Sequence, residues 1–240
     1  MEVGFTKSIN HFLIRLEGLP SAKVNDLIES EDGIKGWITG LNNDTVEAMI
    51  LSEQTTKPGQ LFKLLNQSLT VNIGNHLLGR VINPLGQPID GKGMLSGKSS
   101  NPEPIDKQAR LIFEREFITK QLNTGLTLVD ALIPIGLGQR ELILGDARSG
   151  KTSFLTTVVA NQKNSGIVCI YATIGKPASE VRGIIDVLKT NNALSYTTVI
   201  ASSSSDPPPL IYITPQTALT LAEYFQKQGK DVLVVLDDMG

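Results

Sequence analysis

The chain has one cysteine, Cys169, and two histidines, His11 and His76, in 240 residues. A single cysteine builds no disulfide framework. Set in an apolar stretch at 167–171, it reads as a small buried hydrophobe and not as a nucleophile. A reducing compartment is compatible with this but not required. The two histidines lie far apart and lack ligand-like companions, so both read as structural or solvated. An excess of one charge is also missing. With 22 basic and 24 acidic residues, nothing global points to nucleic acid or an anionic membrane as a partner. No apolar run approaches the roughly 20 residues needed to cross a bilayer. The N-terminus, with Glu2, Lys7 and His11 interspersed, is neither a signal peptide nor an Arg-rich transit sequence. The polypeptide itself is expected to be soluble, with room for one or two domains.

What the chain does have is a glycine-bounded loop. An apolar strand candidate at 142–144 runs into Gly145, Asp146, Ala147, Arg148, Ser149, Gly150, Lys151 and Thr152, and a helix-like run follows at 153–162. This is G-x-x-x-x-G-K-T with a strand before it and a helix after it, the context a phosphate-binding loop requires. The glycines let the backbone bend round a polyphosphate and turn successive N–H groups inward. The positive end of the helix adds to the attraction. Lys151 is expected to reach the β- and γ-phosphates of ATP or ADP, and the Thr152 hydroxyl to ligate Mg²⁺.

Residues 1–68 read as short strands separated by turns, with strand candidates at 12–16, 34–39 and 46–51 and a mixed run at 23–29. Spacing of about ten residues suggests a small antiparallel barrel or sandwich. Residues 72–106 are dense in Gly, Pro, Asn and Asp, which means turns and extended chain. Their first half has recurring apolar residues and is expected to pack against something; the second half, including 97–102, reads as a linker. From residue 123 the pattern becomes α/β. Helix spacing at 124–133 precedes the phosphate loop; a strand at 166–173, a helix at 178–189 and a strand at 197–201 follow it. A polar loop leads into Pro207, Pro208 and Pro209, then a helix at 216–228 and a last buried strand at 231–236. Strands alternating with helices imply parallel crossover units, and near-continuous apolar strands imply a sheet covered on both faces.

The last strand delivers Asp237 and Asp238. An aspartate at the end of an apolar strand, in the sheet that carries a phosphate loop, is the Walker B arrangement. Asp237 is therefore expected to help hold Mg²⁺ opposite Thr152. Hydrolysis also needs a group to orient and deprotonate water. The loop at 174–177, off the end of a strand, is expected to face the γ-phosphate. It offers Lys176, which is no base while protonated and whose charge favours holding phosphate. Glu180 is expected to point elsewhere. No residue takes a catalytic role on this reading, and the site binds nucleotide without turning it over quickly.

Several stretches carry a family resemblance: 78–93, Thr124-Gly125-Leu126, 130–146, 169–175, 205–210, 222–225 and 229–231. The chain resembles the alpha subunit of F-type ATP synthases over most of its length, more loosely before Leu78. The segment 130–146 is much more specific than the phosphate loop alone. The resemblance implies an α/β fold: a small N-terminal antiparallel β-barrel (1–68) followed by a RecA-like P-loop domain (69–240) with a mainly parallel sheet. It implies a non-catalytic, regulatory ATP-binding subunit in a hetero-hexameric ring with beta subunits around a central stalk. That ring couples ion (proton) translocation to ATP synthesis. Membrane contact comes only through the complex, peripherally on the inner face of a cell or organelle membrane. The chain departs from the pattern in places. Lys176 stands where alpha subunits carry glutamine and beta subunits glutamate. Ala147-Arg148-Ser149 stands where alpha subunits usually read Arg-Gln-Thr. The N-terminal helical extension and everything beyond Gly240 are missing, so a truncated chain is expected. An active rotary, secretion or termination ATPase and a non-functional remnant stay open as alternatives.

Overall fold

The computed structural model describes residues 2–52, 54–95, 101–107 and 111–239. Part of the linker reading, 96–100, lies outside the described residues. The first six strands are β1 (Val3–Asn10), β2 (Leu13–Glu17), β3 (Asp26–Ser30), β4 (Lys35–Leu41), β5 (Val46–Ile50) and β6 (Leu61–Ser68). They close an antiparallel barrel in the order β1-β2-β5-β4-β3-β6. Alternation along each strand sends one set of side chains inward. Ile14 and Leu16, Ala48 and Ile50, and Phe62 and Leu64 are all buried in one cluster with Ile28 and Ile38. Closure leaves no strand edge open. Strands β1 and β6, absent from the turn-based reading, are the pair that completes it.

Strands β7 (Thr70–Ile73) and β9 (Asn101–Pro104) form a short antiparallel ladder. Between them β8 (Val81–Ile82) joins a parallel sheet, which is what the apolar residues of the turn-rich link pack against. The bend at 79–93 is organised by Asp90. Its carboxylate accepts from Arg80 Nε at 2.7 Å and Nη2 at 2.9 Å, and from the backbone N–H groups of Val81 at 3.2 Å and Lys92 at 3.0 Å. These bonds, that to the Arg80 guanidinium first, hold its carboxyl well below the usual range.

Two-residue strands β10 (Gln121–Leu122) and β11 (Ile135–Gly136) flank α1 (Thr127–Leu132). Then come α2 (Lys151–Ala160), β12 (Val168–Lys176), α3 (Ala178–Thr190), β13 (Thr197–Ser203), α4 (Pro208–Lys227) and β14 (Val232–Asp237). The sheet order is β14-β12-β13-β8, all parallel. Period two on β12 explains the two apolar faces. Cys169 and Tyr171 enter a core with Val159, Val181, Ile184 and Leu188 of α2 and α3. Ile170 and Ala172 face the opposite core, with Ile213, Leu221 and Phe225 of α4. The second core also takes Trp37 and Leu51 from the barrel. Cys169 is fully buried, and that burial pushes its thiol up to about 12.

Four local expectations are corrected. Residues 142–144 are not a strand; among the described residues they have no strand partner, and Leu142 and Leu144 are 76% and 81% exposed. A three-residue segment without a ladder has no backbone bonds to hold it extended. The helix expected at 124–133 shrinks to α1, which buries none of its side chains. The helix expected at 216–228 begins eight residues earlier, because Pro208 takes a first-turn position where its missing N–H costs nothing. Pro215 then lies inside α4, tolerated where Ile213, Thr214, Thr217 and Ala218 bury the helix against the sheet. Finally β14 is an edge strand paired only with β12, and four of its six residues are only half-buried.

Candidate functional site

The phosphate loop connects the unpaired segment to α2. Gly145 is tightly placed: a Cβ there would lie 2.6 Å from Ser149 Oγ, so the serine hydroxyl would have to turn away. Gly150 is required by conformation: it is the N-cap of α2 at φ 97°, in the left-handed region. Arg148 shares that region at φ 63°, although it carries a side chain. The loop residues 145–150 are exposed, whereas Lys151 and Thr152 are half-buried. Lys151 Nζ donates to Gly145 O at 2.5 Å and Asp146 O at 2.8 Å, so its ammonium spans the loop it belongs to. Beside it, the first N–H groups of α2 have no intrahelical acceptors.

The structure brings Thr152 and Asp237 together. Thr152 Oγ1 donates to Asp237 Oδ2 at 3.1 Å, across 85 residues of sequence. Asp237 is the last residue of β14, not the one after it, and is 2% exposed. The same oxygen accepts the Tyr171 hydroxyl at 2.8 Å. Burial, then the neighbouring Asp237 charge, push the Tyr171 phenol far above its ordinary value, so it stays a donor. Thr173 lies opposite Asp237 in the β12–β14 register. It shares the face of Tyr171 two residues earlier, and its buried hydroxyl has no hydrogen-bond partner among the described residues.

The other carboxylate oxygen is taken by Lys176, with Nζ 3.1 Å from Asp237 Oδ1. Lys176 was expected on a loop; instead β12 runs through it, and its ammonium meets Asp237. The cause is an irregularity in the β12–β13 ladder between Thr173 and Lys176, with Gly175 at φ 64°. Such a bulge re-aims the following side chain. Glu180, expected to point elsewhere, lies 3.7 Å from the Lys176 ammonium, and Asp238 lies 3.8 Å from it. Tyr171 was missed from the sequence. A lone phenol inside an apolar strand was the available signal, because a buried Tyr hydroxyl needs a partner.

Comparison with known proteins bears on this geometry. Residues 125–240 match the family described as ATP synthase alpha/beta family, nucleotide-binding domain. Relatives named ATP synthase subunit alpha align over 99% of the chain: 40% identical in Caldanaerobacter subterraneus, 39% in Staphylococcus aureus and 38% in Limosilactobacillus reuteri. Residues 125–240 belong to the ATP synthase alpha/beta family, and the similarity to its alpha subunits extends over the chain. The resemblance carried by 78–93 and 130–146 is thereby supported across the barrel as well as the nucleotide-binding portion. The chain spans about half the length of these relatives, 47% in each case. Within that family fold, the barrel and the parallel sheet are as the resemblance implied. No helix among the described residues is long and apolar enough to cross a membrane.

Proposed function

We propose that this chain is a nucleotide-binding, non-catalytic component of an ATP synthase. Residues 145–152 cradle the phosphates of ATP or ADP, with 69–240 as the nucleotide-binding unit and 1–68 as a separate barrel. The observation that carries the reading is Lys176. The position off β12 where water activation calls for a carboxylate holds an ammonium, bound 3.1 Å from Asp237. Glu180 is an acid near the site, but it lies beside that ammonium, 59% exposed, on the rim. With no free base poised to take a proton, the phosphate cradle holds a triphosphate without cleaving it.

The names of the relatives support membership of an ATP synthase, and the rest of the proposal follows the family resemblance. The chain acts with beta-type subunits in a hetero-hexameric ring around a central stalk, and that assembly couples ion translocation to ATP synthesis. It is held at the inner face of an energy-transducing membrane through the complex. The Mg²⁺ expected between Thr152 and Asp237 is the part of the reading the residues fit least. The Asp237 carboxylate already accepts Tyr171 and Thr152 on one oxygen and faces the Lys176 ammonium with the other. Equilibrium dialysis of radiolabelled ATP against the full chain tests the nucleotide assignment. One saturable site is expected, weakened about tenfold or more in Lys151→Ala, the scale of a lost charged hydrogen bond. No binding at millimolar ATP would refute it.

A further inference from the structure

We propose that Lys176 is a built-in cation standing where a divalent metal would act, so that this site takes the metal-free nucleotide. The proposal rests on the nucleotide reading of residues 145–152 and goes beyond it in naming the ligand's ionic form. A magnesium ion in such a site needs the strand-end carboxylate as an acceptor, directly or through its water shell. Here the acceptor is committed. Lys176 is nine-tenths buried, and its Nζ sits 3.1 Å from Asp237 Oδ1. Its place is fixed from three sides. The bulge on β12 aims it, the register pairs it with Ser203, and Glu180 and Asp238 flank the ammonium at 3.7 and 3.8 Å.

The same carboxylate ties the ammonium to the phosphate loop. Asp237 Oδ2 receives the hydroxyl of Thr152, the second residue of α2, while Oδ1 faces Lys176. Asp237 thus bridges a fixed positive charge and the residue that would ligate the metal. A divalent ion entering beside Thr152 would have to displace the ammonium from Asp237, which is 2% exposed. A nucleotide without its metal carries the full charge of its phosphates. Lys151, Arg148 and the N-terminus of α2 are the positive groups of the loop, while Lys176 offsets the neighbouring Asp237, Glu180 and Asp238 carboxylates that would otherwise repel it. The unpartnered Thr173 hydroxyl, on the face of β12 that meets Asp237, adds a neutral donor.

The test is ATP binding to the full chain by equilibrium dialysis, once in excess EDTA and once in excess magnesium chloride. The wild-type chain is expected to bind more tightly in EDTA, its apparent affinity falling by about tenfold or more in excess magnesium, which sequesters the metal-free form. Lys176→Gln is expected to weaken binding in EDTA by about tenfold or more, with magnesium restoring it. Wild-type binding as tight or tighter with magnesium would overturn the proposal while leaving the nucleotide assignment standing. Unchanged EDTA binding in a folded Lys176→Gln would also overturn it. Absence of binding in both buffers would remove the nucleotide reading itself, and this inference with it. Should Lys176→Gln fail to fold, the two wild-type measurements decide alone.

Discussion

At the scale of single residues, two buried charges differ in how visible they were. Asp90 and Arg80 sit ten positions apart in a turn-dense stretch, and their bidentate contact at 2.7 and 2.9 Å makes local sense of it. The folded carboxyl is held below the unfolded value of about 3.9. Its contribution is therefore fully present above about pH 4 and is lost as pH falls through the folded value. Asp90→Asn is expected to lower stability by about 2 kcal/mol near neutral pH and to flatten the acid limb of the profile. Urea unfolding between pH 2 and pH 7 checks this; parallel profiles for the two proteins would contradict it. Lys176 and Asp237 are a long-range pair that no spacing rule reveals. Lys176→Met is expected to cost about 3 kcal/mol by stranding a buried carboxylate. Much of that loss is expected to return in Lys176→Met/Asp237→Leu, and a double-mutant cycle measures the coupling. Additive losses would mean the two side chains do not sense each other.

At the scale of elements, the sequence is most legible where pattern and partner agree. The apolar strands that became β12 and β13, the helix that became α3, and the loop ending at Lys151 and Thr152 were readable because each signal is local. What could not be read depends on neighbours. The apolar residues at 142–144 look like a strand, but a strand exists only by pairing, and they have no partner among the described residues. Pro207 to Pro209 looked like a loop, yet Pro208 opens α4, since proline fits a helix's first turn as well as a turn. The bulge that turns Lys176 toward Asp237 leaves only a glycine in the sequence. A measurement belongs to this scale too. In hydrogen exchange on the isolated chain, the amides of 141–144 are expected to exchange at near-unprotected rates. Those of β12, flanked by β13 and β14, should approach global protection. Equal protection in the two segments would show that 142–144 is paired after all.

At the scale of the whole molecule, two well-covered bodies contrast with one bare stretch. The barrel and the parallel sheet bury continuous cores. Between them in sequence, Phe113, Phe117, Leu128, Leu132, Ile133, Leu142 and Leu144 are all more than two-thirds exposed. That much apolar surface along 113–144 exceeds what scattered surface residues explain. The isolated chain is therefore expected to bind a hydrophobic dye such as ANS in its native state. It should also associate as concentration rises, and Phe117→Ser/Leu142→Ser should reduce both signals by about half. Dye binding no greater than that of an ordinary folded monomer would contradict this. The bare stretch adjoins the phosphate loop, so association through it would also alter access to the site.

A phosphate loop facing a lysine-occupied carboxylate is expected to retain ATP intact. The most direct measurement mixes γ-labelled ATP and magnesium with a molar excess of the chain. Bound nucleotide is then quenched over hours and its inorganic phosphate counted. The account predicts that bound ATP is recovered unhydrolysed, with phosphate at the level of a protein-free control. Stoichiometric phosphate release within seconds, abolished by Asp237→Ala, would contradict it.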